Sequence, residues 1–147
     1  MNAKEDDIKF MQKAIQEAGN AYDNDEIPIG AVVVCEGKII GKGHNQTEML
    51  HDVTAHAEMI AITAASQYLN SKYLNECTMY VTVEPCLMCA GAIKHARIKK
   101  LVYGVNEPKT GFSSQLKTTL SSKIEVVSGI LEDECKQLMQ HFFLEKR

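Results

Sequence analysis

Thr78-Met79-Tyr80-Val81-Thr82-Val83-Glu84-Pro85-Cys86-Leu87-Met88-Cys89-Ala90-Gly91-Ala92-Ile93-Lys94-His95-Ala96-Arg97-Ile98-Lys99-Lys100-Leu101-Val102-Tyr103-Gly104-Val105 reads as a strand, a helix and a second strand in one unbroken run. The strands are Thr78 to Val83 and Lys100 to Val105, rich in β-branched and aromatic residues, and the helix is Cys86 to Ala96. Such a unit joins parallel neighbours by a right-handed crossover, so its helix must cover one face of a sheet.

Working outward from this unit, the same alternation continues. Upstream, residues 5 to 19 carry a helical stripe of Ile8, Met11, Ile15 and Ala18 that ends at Gly19-Asn20. Ile29 to Cys35 and Lys38 to His44 read as strands of an antiparallel hairpin turning at Glu36-Gly37, and Thr54 to Leu69 as a helix. Downstream come a short helix near Ser113 to Leu120, a strand at Ile124 to Val127 and a helix from Leu131 to Leu144. No repeat, low-complexity tract or linker interrupts the chain. The expected fold is a three-layer α/β/α sandwich around a five-stranded mixed sheet, because helical stripes on both faces need a surface to bury against.

At 147 residues, with 45% hydrophobic and 24% charged, the chain suits one well-buried core, so residues 1–147 are expected to form a single domain. Its apolar runs, such as Ala31 to Cys35, are far shorter than a membrane span, and its first residues lead directly into charge. A soluble, cytoplasmic protein with no membrane partner is expected. Five cysteines, two of them in a Cys-x-x-Cys, fit reduced thiols and a metal better than disulfides. A net charge of −3 and a pI near 5.9 make any nucleic-acid contact a local one. The candidate patch is Lys94, His95, Arg97, Lys99 and Lys100, with Lys109, Lys117, Lys146 and Arg147 as outliers. The competing reading is that cations gather at a helix C-terminus to suit its dipole.

The chemistry lies in two segments, His56-Ala57-Glu58 and Pro85-Cys86-Leu87-Met88-Cys89. One imidazole and two thiols make three ligands, one short of a closed structural zinc site, and three is the number a catalytic zinc keeps when water takes the fourth position. Glu58 stands beside them as a carboxylate able to move protons. Two residues on a helix are about 200° apart, so His56 and Glu58 cannot both face a metal alongside the helix, and the metal must sit off its N-terminal end. Both segments fall at expected helix starts, where the helix dipole lowers thiol pKa values. Taken singly, Glu58 could belong to a capping box with Thr54, although it lies four residues on rather than three. His56 could equally be a turn histidine, and Cys86 with Cys89 a buried pair. The three together, with Pro85 ahead of them, favour catalysis.

His-x-Glu followed by Pro-Cys-x-x-Cys resembles the signature of the zinc-dependent nucleobase deaminases, of cytidine-deaminase-like fold. The longer segments Asp25 to Val32, Thr54 to Glu58, Val83 to Ala92, Lys109-Thr110-Gly111, and the ending Gly129-Ile130-Leu131 through Phe142-Phe143 are similar to the tRNA-specific adenosine deaminases within that superfamily. The resemblance implies hydrolytic deamination of adenosine to inosine at the wobble position of a tRNA anticodon. The implied partner is the anticodon arm, typically of an arginine tRNA, and the implied enzyme is a homodimer with one Zn²⁺ per subunit. His56, Cys86 and Cys89 would hold the metal, and Glu58 would carry the proton from water to ring N1 and then to the leaving amine. Asn45 matches the position whose amide contacts the substrate nucleoside; as a residue near a strand end it also reads as a turn asparagine.

Some positions depart from the family pattern. Val105-Asn106-Glu107-Pro108 follows Gly104 where a small residue and then an aspartate are usual, the stretch from Leu120 to Ile124 is short, and Val53 replaces a common proline. These differences leave open a deaminase of a free base or nucleoside, guanine or cytosine. A third reading is a non-catalytic zinc module with Cys35 or Cys77 as fourth ligand, although both sit where small buried cysteines are ordinary. His44 and His51 flank the expected pocket loop without a partner in the sequence, His95 and His141 sit on helices where surface or capping roles suffice, and Cys135 reads as core.

Overall fold

Glu36 and Gly37 both take left-handed backbone angles, φ 52° and 75°, the conformation that lets a two-residue turn match the twist of the strands it joins. In the computed structural model, which describes residues 3–115, 120 and 122–146, this turn connects β1 (Gly30–Cys35) to β2 (Lys38–His44) as an antiparallel pair. On the other side of β1 lies β3 (Cys77–Val83), also antiparallel. Then β4 (Lys100–Val105) and β5 (Glu125–Val127) follow in parallel, giving the order β2-β1-β3-β4-β5. The strand–helix–strand unit expected from the sequence is β3, α3 (Leu87–His95) and β4.

The sheet alternates its side chains between two separate cores. Ala31, Val33, Met79, Val81, Leu101 and Tyr103 point to one face, where α2 (Ala57–Leu69) and α3 cover them with Ala57, Ala61, Ala65, Ala90 and Ile93. Val32, Val34, Tyr80 and Val102 point to the other, beneath Phe10, Met11 and Ala14 of α1 (Ala3–Asp23) and Cys135 of α5 (Glu132–Glu145). This is the expected α/β/α sandwich. Fully buried side chains such as Ile93, Ile98 and Leu101 each contribute about 1.5–3 kcal/mol through removal from water.

Element boundaries differ from expectation where tertiary contacts override local signals. Helix α1 runs through Gly19-Asn20 to Asp23 because Ala18 and Ala21 are fully buried, an anchor that outweighs the roughly 1 kcal/mol helix penalty of glycine. Helix α2 begins at Ala57, not Thr54, because Asp52 Oδ1 accepts both the Thr54 backbone N–H (2.8 Å) and its hydroxyl (2.7 Å), holding that segment in a local turn. The short helix near Ser113 appears as α4 (Phe112–Gln115), and residues 116–119 of that expected element lie outside the described residues. Among the described residues no helix is long and apolar enough to cross a membrane.

Two features of the packing place the site. A Cβ on Gly41 or Gly43 would meet the backbone of Ala61 and Ala65 or of Ala57 and Ala61, so the missing side chains let α2 lie directly on β2. The C-terminal ends of β3 and β4 then open onto the first turn of α2, which is where an open α/β sheet binds its ligand.

Candidate active site

Each of the two motif segments begins a helix. His56 is the N-cap of α2 (φ −77°, ψ 152°) and Cys86 the N-cap of α3 (φ −71°, ψ 173°), both in extended conformation, with Cys89 in the first turn of α3. Neither cap residue uses its side chain to bond its helix, which leaves the imidazole and the thiol aimed off the helix ends. They converge there: His56 Nδ1 lies 3.6 Å from Cys86 Sγ and 3.5 Å from Cys89 Sγ. All three donor atoms fall within 4.8 Å of one another. Zn–N bonds of about 2.0–2.1 Å and Zn–S bonds of about 2.3 Å in a tetrahedron separate N from S by about 3.6 Å. The donor set and its spacing therefore fit zinc.

The electrostatics follow from this crowding. Hydrogen bonds from Cys89 and His56 draw the Cys86 thiol down to about 4, with the Cys89 backbone N–H of the first helical turn adding to the effect. Cys89 donates that hydrogen bond and is buried, so its own thiol is pushed up. The expected lowering at a helix start thus appears at Cys86 and not at Cys89. His56 is raised, chiefly by its hydrogen bond with Cys86. The Val53 backbone adds to the rise.

Glu58, in the first turn of α2, is only 4% exposed. Burial raises its carboxyl to about 7, which suits a group that must both take and return a proton near neutrality. The capping-box alternative fails, since His56 and not Thr54 is the N-cap. A pocket of about 330 Å³ opens over this carboxylate, and His56, Cys86, Asn45, Val83, Ile29 and Phe143 are among its walls. Asn45, just past β2, is buried, and its backbone N–H donates to the Ile29 carbonyl at 3.1 Å. Its place in the pocket wall is not that of a surface turn residue.

Two further carboxylates, to which the sequence assigns no role, hold the rim together. Glu84, 4% exposed, accepts the backbone N–H of Glu107 on one oxygen (3.0 Å) and that of Ser113 on the other (2.8 Å), with the Asn106 amide more distant at 3.4 Å. It thereby pins the loop that carries Glu107 and Thr110 into the pocket wall. Glu26, 1% exposed, accepts the backbone N–H groups of Glu48 (3.1 Å) and Met49 (2.8 Å) and so anchors the loop leading to His56. The available signal was a carboxylate closing an otherwise apolar strand, as at Glu84, but nothing local says which amides it will meet.

The cationic cluster lies elsewhere. Lys94 and His95 occupy the last turn of α3, and Lys94, Arg97 and Lys99 line a separate cavity of about 510 Å³ near the start of β4, the end of the sheet opposite the pocket. Lys100 pairs with the buried Asp7 at 3.1 Å. Of the five, Lys94 and His95 stand at the helix end that its dipole favours, and none of the five lines the pocket. Lys117 and Arg147 lie outside the described residues. His44 meets Glu17 at 3.4 Å and His141 meets Glu145 at 3.9 Å. Cys35 and Cys77 belong to the sheet and are not among the three donors, while Cys135 is core, as expected.

Comparison with known proteins agrees with this geometry. A family profile described as MafB19-like deaminase matches residues 5–147. The tRNA-specific adenosine deaminase of Agrobacterium fabrum is 44% identical over 145 residues, covering 94% of each chain. Among solved structures, one from a study of A-to-I editing by tRNA:A34 deaminases superposes with a TM-score of 0.81 at 42% identity, covering 88% of this chain and 98% of that one. A guanine deaminase from Nitrosomonas europaea superposes with a TM-score of 0.83 at 22% identity, covering 92% of this chain and 83% of that one, and shares the fold. With the deaminase motif assembled at the helix ends and this similarity extending over nearly its whole length, the chain belongs to the tRNA-specific adenosine deaminase family.

Proposed function

We propose that this protein hydrolyses adenosine to inosine and ammonia at the wobble position of a tRNA anticodon, with His56, Cys86 and Cys89 holding one zinc ion. The observation that carries the reading is a buried carboxyl, Glu58, raised to about 7 and sharing one pocket with His56, Cys86 and Asn45. Zinc, when bound, supplies Lewis acidity that makes water a nucleophile near neutral pH. Glu58 takes one proton of the attacking water and delivers it to adenine N1, then takes the second from the hydroxyl added at C6 and passes it to the exocyclic amine, which leaves as ammonia. Its burial keeps the two protonation states close in energy, so one carboxyl serves both transfers. Asn45 orients the base from the pocket wall by offering an amide donor and acceptor. Ile29, Val83 and Phe143 give the flipped-out base an apolar surround.

The finer assignments are an arginine tRNA as substrate, one domain over residues 1–147, a homodimer and a cytoplasmic location. The similarity to tRNA-specific relatives supports the RNA substrate, and exposed Met49, Leu50, Val53, Leu87 and Met88 offer apolar surface for a second subunit. The zinc-loaded protein should convert an arginine anticodon stem-loop to its inosine form and leave free adenosine, adenine, guanine and cytosine unchanged. Turnover of a free base alone would overturn the assignment.

A further inference from the structure

We propose that Cys35 and Cys77 are a thiol modification site, forming a reversible cross-strand disulfide that staples β1 to β3 when the protein meets a small-molecule disulfide. The pair is distinct from the sulfurs of the pocket: Cys77 begins β3, while Cys86 lies beyond its far end, and the six residues to Val83 already span about 20 Å.

The argument starts from register. Cys35 and Cys77 are direct partners across the antiparallel β1–β3 ladder. The Lys99 backbone N–H donates to the Cys77 carbonyl at 3.0 Å, so the backbone polar groups of Cys77 face β4. Since these groups alternate along a strand, those of Thr78 face β1. Opposite them, Asn45 N–H donates to the Ile29 carbonyl at 3.1 Å, which turns the polar groups of Ile29, Ala31 and Val33 toward β2 and those of Gly30, Val32 and Val34 toward β3. Cys35 and Cys77 are thus a non-hydrogen-bonded pair, whose Cα atoms stand about 4.5 Å apart with side chains closer than at hydrogen-bonded sites. A disulfide spans Cα separations of about 4.4–6.8 Å. Both side chains lie on the same face, against the α2/α3 core.

Burial, followed by the neighbouring Cys35 thiol, pushes the Cys77 thiol up to about 12. Cys77 is 1% exposed, whereas Cys35 is half-buried next to the exposed turn. Cys35 is therefore the sulfur that reacts first. With oxidised glutathione as the co-reactant, the Cys35 thiolate forms a mixed disulfide and displaces one glutathione thiolate. Cys77 then gives up its proton, bonds to the Cys35 sulfur and displaces the second. Two protein thiols are oxidised, one glutathione disulfide is reduced to two thiols, and no other reagent is required.

The test uses zinc-loaded protein incubated with oxidised glutathione, followed by non-reducing peptide mass spectrometry, zinc determination and thermal melting. The expected result is one linked peptide pair joining Cys35 to Cys77, unchanged zinc content, and reversal by dithiothreitol. Closing a loop of about 42 residues should raise the melting temperature by about 5–10 °C, and Cys35→Ser should show neither linkage nor rise. A glutathione adduct that stays on Cys35, a linkage through Cys86 or Cys89, or a linked protein that melts no higher than the reduced one would each overturn the proposal.

Discussion

Replacing Glu84 by alanine isolates a carboxylate whose work is structural but whose effect should appear in catalysis. Its two oxygens accept the backbone N–H groups of Glu107 at 3.0 Å and Ser113 at 2.8 Å. Hydrogen bonds to a charged acceptor contribute about 1.5–3 kcal/mol each. Glu107 is half-buried and Ser113 exposed, so water recovers part of the loss and the lower end applies, about 3 kcal/mol for the pair. In a chain of this size that corresponds to a melting temperature lower by about 10 °C if the loop opens only with the whole fold. If the loop opens locally, the same energy appears as exchange of the Glu107 and Ser113 amides accelerated about 100-fold. Because Glu107 and Thr110 line the pocket, kcat/KM on an anticodon stem-loop should fall while zinc content stays complete. Glu84→Gln, which keeps one carbonyl acceptor, should lie between. Unchanged protection of both amides in Glu84→Ala would refute the reasoning, whatever happened to activity.

Glu58→Ala should retain zinc and lose at least about 10²–10⁴-fold in turnover, read as metal content alongside inosine yield; substantial residual deamination would remove its proton-transfer role. Cys86→Ala or Cys89→Ala should instead lose the metal, and full zinc occupancy in either variant would contradict the ligand assignment. Tyr80 tests linkage at high pH. Burial, followed by the hydrogen bond its hydroxyl donates to Asp7 at 2.9 Å, raises it above its ordinary value of 10.0. Above pH 10 the unfolded chain ionises this tyrosine while the folded one keeps its proton, so stability falls as pH rises. Tyr80→Phe should lose less stability than the parent between about pH 10 and 12, and parallel pH profiles from denaturant melts would count against it.

What the sequence determined alone was whatever is local or periodic. The β-branched runs at Thr78 to Val83 and Lys100 to Val105 and the Glu36-Gly37 turn placed strands almost to the residue, because strand alternation and left-handed turn preference are short-range properties. The spacing of His56 and Glu58 with Cys86 and Cys89 specified the donor set, and the 200° argument anticipated that the donors meet off the helix ends, as the 3.5 and 3.6 Å contacts show. Only the tertiary structure decided the rest. Helix α2 starts at Ala57 because Asp52 captures Thr54, and α1 outruns its glycine because buried alanines hold it to the sheet. Glu84 and Glu26 bond amides 23 and 22 residues away, among others, and Cys35 faces Cys77 through register alone. The cations that followed the Cys-x-x-Cys in sequence ended at the opposite end of the sheet, since the length of α3 intervenes. Contacts between residues distant in the chain depend on which strands pair and in what register, and that is fixed by burying the two faces of the sheet together, not by any single segment.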